Sequence, residues 1–332
     1  MPRLKTITVL SLATLLFVIP AFAQNTINAR PGTINYVEGR ATLNGQTLTS
    51  QSVGSAELAT GQTVATASGK AEILLTPGVF LRLGDNTAVT MVAPDLTRTE
   101  VRLDRGIAEV EVDQIYQQND LLIDQGAAQT VLLKNGLYEF DANTNAVRVF
   151  DGEASVSLSP DSKKWTTVKS HREIALNGDR TKPQDFNPEL AASQDPLYNW
   201  SKLRADYLGQ ANLTLAESYA GSSYNPGWMW DPWMMDYTWL PYDGLFWSPF
   251  GYGFYSPWYL YGGGFIYPGY GFRGGYYHGG VGFRGGNGYR GGYAGGFRGG
   301  VASAPARGFS GGGGGFHGGG GGFHGGGGGG RR

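Results

Sequence analysis

The chain has 332 residues, with 26 Lys and Arg against 27 Asp and Glu, so its formal charge of -1 sets up no overall field for nucleic acid or an anionic membrane surface. It contains no cysteine, which excludes disulfides, a thiol nucleophile and a lipid anchor on cysteine. Its 55 glycines crowd beyond Gly221, so whole-chain averages mix a globular half with a low-complexity half and describe neither.

At the N-terminus, Arg3 and Lys5 precede an apolar run over residues 7–19, and Pro20-Ala21-Phe22-Ala23 then places small residues where a signal peptidase reads. The pattern predicts a signal peptide over residues 1–23, cut after Ala23, a periplasmic or secreted mature chain, and no stable membrane span once the signal is removed. The apolar run falls short of the ~20 residues that span a bilayer, so a retained anchor is the alternative.

Residues 30–180 read as short strands. Thr63-Val64-Ala65-Thr66, Ala71-Glu72-Ile73-Leu74, Val79-Phe80-Leu81-Arg82-Leu83, Ala108-Glu109-Val110-Glu111-Val112, Tyr138-Glu139-Phe140 and Val147-Arg148-Val149 alternate with period two, which buries one face of each strand. The separators Thr76-Pro77-Gly78, Gly84-Asp85-Asn86, Asp104-Arg105-Gly106, Lys134-Asn135-Gly136, Asp141-Ala142-Asn143 and Asp151-Gly152 are residues of tight turns. An antiparallel sandwich and a solenoid or roll both fit this pattern. The charged residues Glu109, Glu111, Arg148 and Glu153 fall on the opposite face and are expected in solvent.

Three stretches carry a family resemblance: Gly61-Gln62-Thr63-Val64-Ala65-Thr66, Ala71-Glu72-Ile73-Leu74-Leu75-Thr76-Pro77-Gly78-Val79 with the Leu-rich strand after it, and Leu103-Asp104-Arg105-Gly106. In their order and spacing they resemble the FecR domain over about residues 30–160. The resemblance implies an all-β fold, a solenoid or roll of short antiparallel strands working outside the cytoplasm as a contact module. It implies no chemistry. Full-length FecR regulators also carry a cytoplasmic segment that handles a sigma factor. Only Met1 to Lys5 precede the apolar run here, so that role is not expected of this chain.

Residues 181–220 read as a connector followed by one amphipathic helix. Asp195-Pro196 supplies a cap with proline at the first helical position, and Leu197, Trp200, Leu203, Tyr207, Leu208, Ala211 and Leu215 recur at helical spacing as an apolar stripe. Gly209 weakens that helix. Residues 221–270 are rich in Trp, Tyr, Pro and Gly. They read as an irregular aromatic cover on the fold, as a contact surface formed by Trp228, Trp230, Trp233 and Trp239, or as adhesive material that self-associates. This half also resembles a group of exported proteins that join a FecR-like domain to such a segment. Residues 271–332 repeat Phe-Arg-Gly-Gly and end in polyglycine carrying Phe316-His317 and Phe323-His324, a largely disordered tail. In an exported chain these arginine-glycine boxes imply no nucleic acid partner, and histidines on so flexible a stretch build no dedicated metal site.

No cysteine, no Gly-x-Ser-x-Gly turn, no phosphate loop and no paired-histidine metal motif is present, and His171 stands alone before the tail as a surface residue. Catalytic, cofactor and metal residues are therefore not expected. The sequence points to an exported non-enzymatic protein meeting an envelope protein or polysaccharide, with possible self-association through the aromatic half. A sensor derived from FecR-type regulators and a carbohydrate-binding module are the alternatives.

Overall fold

The structure is a computed structural model that describes residues 29–160, 162–177 and 182–261. The signal segment, its cleavage after Ala23 and the glycine-rich tail lie outside the described residues. No helix among the described residues is long and apolar enough to cross a membrane.

Fifteen strands form one hydrogen-bonded sheet: β1 (Ile34–Leu43), β2 (Gln46–Thr47), β3 (Thr63–Leu74), β4 (Val79–Leu83), β5 (Ala88–Asp95), β6 (Arg98–Arg105), β7 (Ile107–Val112), β8 (Asp120–Gln125), β9 (Ala128–Leu132), β10 (Gly136–Asp141), β11 (Ala146–Asp151), β12 (Glu153–Ser157), β13 (Thr166–Lys169), β14 (Arg172–Ala175) and β15 (Gln184–Asp185). Their order is β13-β12-β9-β8-β6-β5-β3-β4-β7-β10-β11-β14-β15, and β1 lies along β3. The chain is thus mostly β, as the alternating pattern predicts, and the sheet does not close into a barrel.

The long strand β3 turns this sheet back on itself. Its first residues, Thr63 to Ala65, pair with β5, whereas Ala71 to Leu74 pair with β4. Between them Gly69 faces Gly39 of β1, next to a register shift. A Cβ on Gly39 would lie 2.4 Å from the Ser68 carbonyl oxygen, and one on Gly69 2.4 Å from that of Glu38. Two glycines let the ribbon bend sharply where side chains would force the strands apart. The half containing β5, β6, β8, β9 and β12 and the half containing β4, β7, β10, β11 and β14 then share one apolar core. Val89, Met91, Leu103 and Ile123 come from the first half, and Leu81, Val110, Phe140 and Val147 from the second. The result is a roll with two facing layers.

Turn residues serve two purposes in this roll. Thr76-Pro77-Gly78 joins the paired strands β3 and β4, and 142–145 joins β10 and β11, both as hairpins. Gly84-Asp85-Asn86, Gly106, Lys134-Asn135 and Asp151-Gly152 instead link strands that are not paired with each other, so they carry the chain from one layer to the other. Gly152 shows the demand most plainly: its φ is 100°, and a Cβ there would meet the Tyr138 hydroxyl at 2.2 Å. One pairing departs from the antiparallel expectation. The chain leaves β6 for the other layer as β7 and returns as β8, so β6 and β8 run parallel.

The connector holds a short helix, α1 (Pro188–Gln194), capped by Asn187, whose side chain accepts from the Leu190 N–H at 3.0 Å. Then comes α2 (Pro196–Ser218), capped by Asp195 with proline at the first position. The helix forms where predicted, but its buried face is rotated from the predicted stripe. Leu203 and Tyr207 are exposed, while Ser201, Arg204 and Asn212 are buried. Gly209 has a packing role: a Cβ there would stand 3.2 Å from the Tyr252 Cβ.

Residues 227–261 fold into two hairpins, β16 (Gly227–Asp231) with β17 (Asp236–Leu240) and β18 (Leu245–Trp247) with β19 (Gly253–Tyr255), followed by α3 (Pro257–Tyr261). These pack with α2 over the outer face of the layer formed by β3, β4, β7 and β10. Leu74, Phe80, Leu208, Trp228, Tyr237, Trp239 and Phe254 make a second apolar core there. Phe80 meets Trp228 edge-on at 5.1 Å between ring centroids. The cover reading of this segment is the one realised for residues 227–261.

Candidate functional site

Period-two alternation places Glu72, Arg82, Glu109 and Glu139 on the outer face of their strands, opposite Ile73, Leu81, Val110 and Phe140. The register lines them up across the sheet: Glu72 faces Arg82, Arg82 faces Glu109, Glu109 faces Glu139, Glu139 faces Arg148, and Arg148 faces Glu173. Charge alternates along this row except between Glu109 and Glu139, where like charges stand directly opposite, an unfavourable pairing in a sheet.

Glu109 and Glu111, expected in solvent, are fully buried, as are Glu72 and Arg82. The reason is tertiary: α2 and the aromatic cap cover the face that the strand pattern alone assigns to water. Arg148, at the edge of the cap, remains half-buried and Glu153 is only partly covered.

Most of these buried charges are compensated. Glu72 accepts from Arg82 Nε at 2.8 Å, from Arg204 Nη2 at 2.8 Å and from Asn35 Nδ2 at 2.9 Å. Arg204 Nη2 also donates to Asp236 at 2.7 Å, and its guanidinium lies 4.1 Å from the Tyr36 ring centroid. Arg82 donates its Nη1 to Glu111, which also accepts from the Ser248 hydroxyl. Burial opposes ionisation of Glu72 more than any other single influence, yet Arg204 and Arg82 together hold its carboxyl down to about 2. Burial pushes Asp236 up to about 6, with Arg204 opposing.

The row is only partly compensated where Glu109 meets Glu139, because Arg148 reaches Glu139 Oε1 alone. Asp195, the cap of α2, brings a third carboxylate there, and one oxygen of each lies within 4.8 Å of the other two. Neither Glu109 oxygen nor the buried Ser201 hydroxyl beside it has a hydrogen bond of normal geometry, and Glu139 Oε2 has none. Burial, then the charge of Asp195, raises Glu109 to about 8. Burial, then a hydrogen bond and charge from Asp195, raises Glu139 to about 9, with Arg148 opposing. Asp113 is also raised, by burial and by Glu111. A cavity of about 380 Å³ opens beside this cluster, lined by Glu139, Asp195, Arg148, Glu173, Asn187 and Gln194 among others. Chemically, the cluster offers oxygen donors to a hard cation or holds shared protons.

The four tryptophans expected to form a contact surface are divided by the fold. Trp239 is 1% exposed and Trp228 is 8% exposed, both in the second core, so they do not face a partner. Trp230 is half-buried against Tyr237, and Trp233, on the β16–β17 turn, is 88% exposed. The acidic cluster is not legible in the sequence, because its members are 30 and 56 residues apart and each alone reads as a surface acid. The one local signal is Asp195 as a helix cap.

No protein-family model matches the chain, and no curated protein matches it. Two crystal structures of a protein proposed to be an anti-sigma factor from Parabacteroides distasonis are similar to part of it. They show 15% and 14% sequence identity, each with a TM-score of 0.34, and cover 40% of this chain. The match spans 64% and 65% of those chains, less than two thirds of their length.

Proposed function

We propose that this chain is an exported, non-enzymatic contact protein of the cell envelope, in which a FecR-like β roll carries a folded aromatic cap whose outer rings meet an envelope protein or polysaccharide. The observation that supports the contact role is the distribution of exposed rings. The same short segment that drives Trp228 and Trp239 into the interior leaves Trp233, Tyr242, Trp247, Trp258 and Tyr261 exposed on its outside. Rigid aromatic rings left in water around a well-packed cap are characteristic of contact surfaces. Export rests on the charged, apolar and small-residue pattern of residues 1–23. The family assignment rests on the three sequence stretches around Gly61, Ala71 and Leu103.

The test is retention of envelope material by the immobilised full-length chain, compared with a variant carrying Trp233→Ala, Trp247→Ala and Trp258→Ala. Retained polysaccharide or envelope protein that is lost in the variant supports the reading. Equal retention by both, or reproducible hydrolysis of the retained polymer, removes it. Mass spectrometry of the mature N-terminus tests export: a terminus at Gln24 fits, whereas a chain held in the membrane by residues 3–22 favours a sensor.

A further inference from the structure

We propose that Glu109, Glu139 and Asp195 form a binding site for one hard divalent cation, of the Mg²⁺, Ca²⁺ or Mn²⁺ class, entered from the cavity beside α1. Three independent features of the fold converge on it. The first is register. Glu109 of β7 and Glu139 of β10 are directly opposite on one face, and the N-cap of α2 adds Asp195, which brings one oxygen of each to within 4.8 Å of the others.

The second feature is that the neighbouring arginines leave carboxylate oxygens of the cluster unfilled. Arg82 donates its Nε to Glu72 and its Nη1 to Glu111, and its Nη2 makes no hydrogen bond to Glu109. Arg148 donates to Glu139 Oε1 at 2.6 Å and to Glu173 at 2.9 Å, which leaves Glu139 Oε2 with no cationic donor and only the Asp195 carboxyl beside it. Glu109 is wholly buried, and neither of its oxygens has a hydrogen bond of normal geometry, with only the Ser201 hydroxyl beside them. A buried carboxylate so placed is costly unless something positive completes it.

The third feature is room for solvent ligands. Glu139 and Asp195 line the cavity of about 380 Å³, and the Ser201 hydroxyl is a further buried oxygen beside Glu109. An all-oxygen donor set with space for water suits a hard cation better than a soft one, since Mg²⁺ and Ca²⁺ take carboxylates together with water. An ion there ties two strands of the sheet to the start of the helix that covers them. It acts as a clamp on the aromatic cap.

The experiment uses the full-length chain freed of metal with EDTA and titrated with Mg²⁺, Ca²⁺ and Mn²⁺ by calorimetry, alongside Glu109→Gln and Asp195→Asn. Gln keeps the size of Glu109 without its charge, and Asn keeps a good helix cap. Circular dichroism and melting in EDTA establish that both variants fold. The expected result is binding of one ion per chain, with a higher melting temperature. Affinity should fall in each variant by at least the roughly 10–100-fold that loss of a supporting group around a metal costs. Absence of binding for all three ions overturns the proposal. So does binding undiminished in both variants, which would place the ion elsewhere, for instance at the tail histidines.

Discussion

The two faces of the layer formed by β3, β4, β7 and β10 are both buried, yet they are built on opposite principles. The inner face carries Ile73, Leu81, Val110 and Phe140, and its stability comes from area removed from water and from close packing. The outer face carries Glu72, Arg82, Glu109 and Glu139 beside the apolar Leu74 and Phe80, and each of those ionisable groups has lost water and needs specific partners or a proton in return. An apolar face tolerates small changes in what covers it. A charged one does not, so the cap supplies Arg204, Asp236 and Ser248 at specific positions, and β1 of the roll adds Asn35.

The sharpest way to break this contrast is Glu72→Gln. It leaves Arg82 and Arg204 facing an uncharged partner, and loss of one member of a buried ionic network is expected to cost about 3–5 kcal/mol. Urea unfolding measures this. A cost below about 1 kcal/mol would mean that the covered face behaves like ordinary surface.

The pH dependence has a definite sign. Glu72 titrates near 2 in the folded chain against an ordinary value of 4.5. Its contribution is therefore fully present above about pH 4.5 and is lost as pH falls towards about 2, an effect of roughly 3 kcal/mol. Asp236 acts with the opposite sign: its raised carboxyl costs stability as pH rises from about 4 towards about 6. Unfolding followed from pH 5 down to pH 2 should show a slope in the wild type and a flatter one in Glu72→Gln. Equal slopes would show that Glu72 is not held ionised.

A smaller effect is expected at the far end of the cap. Asn212 donates to the carbonyls of Trp239 at 2.8 Å and Tyr255 at 3.0 Å and accepts from the Tyr255 N–H at 2.7 Å, joining β17 to β19 through α2. Asn212→Ala strands these buried groups and should cost about 1–3 kcal/mol. Limited proteolysis should then cut first around residues 220–226, with the β roll left intact; cleavage throughout the chain would show that cap and roll do not separate. The smallest effect belongs to Trp233→Ala, which should shift stability by no more than about 0.5 kcal/mol while weakening retention of envelope material. A larger loss of stability would make Trp233 a packing residue.

Much of this fold is written locally. Period-two alternation marks the strands because the pleat sends successive side chains to opposite faces, and Asp195-Pro196 marks the start of α2 because a cap and a first-turn proline act within a few residues. The aromatic richness of residues 227–261 fits a cover, a contact surface or self-associating material alike, and only the burial of Trp228, Tyr237 and Trp239 selects the cover. Tertiary structure alone decides three further things. Whether a Gly or Asn turn makes a hairpin or a corner depends on which layer the next strand joins, and Gly106 and Gly152 look locally like any hairpin turn. Which stripe of α2 is buried depends on the charges beneath it, so Arg204 goes inside and Leu203 outside. Burial of Glu72 and Glu109 depends on segments far along the chain, with Glu72 and Arg204 meeting across 132 residues. Alternation says which way a side chain points, but only the covering segment decides whether water is there to meet it.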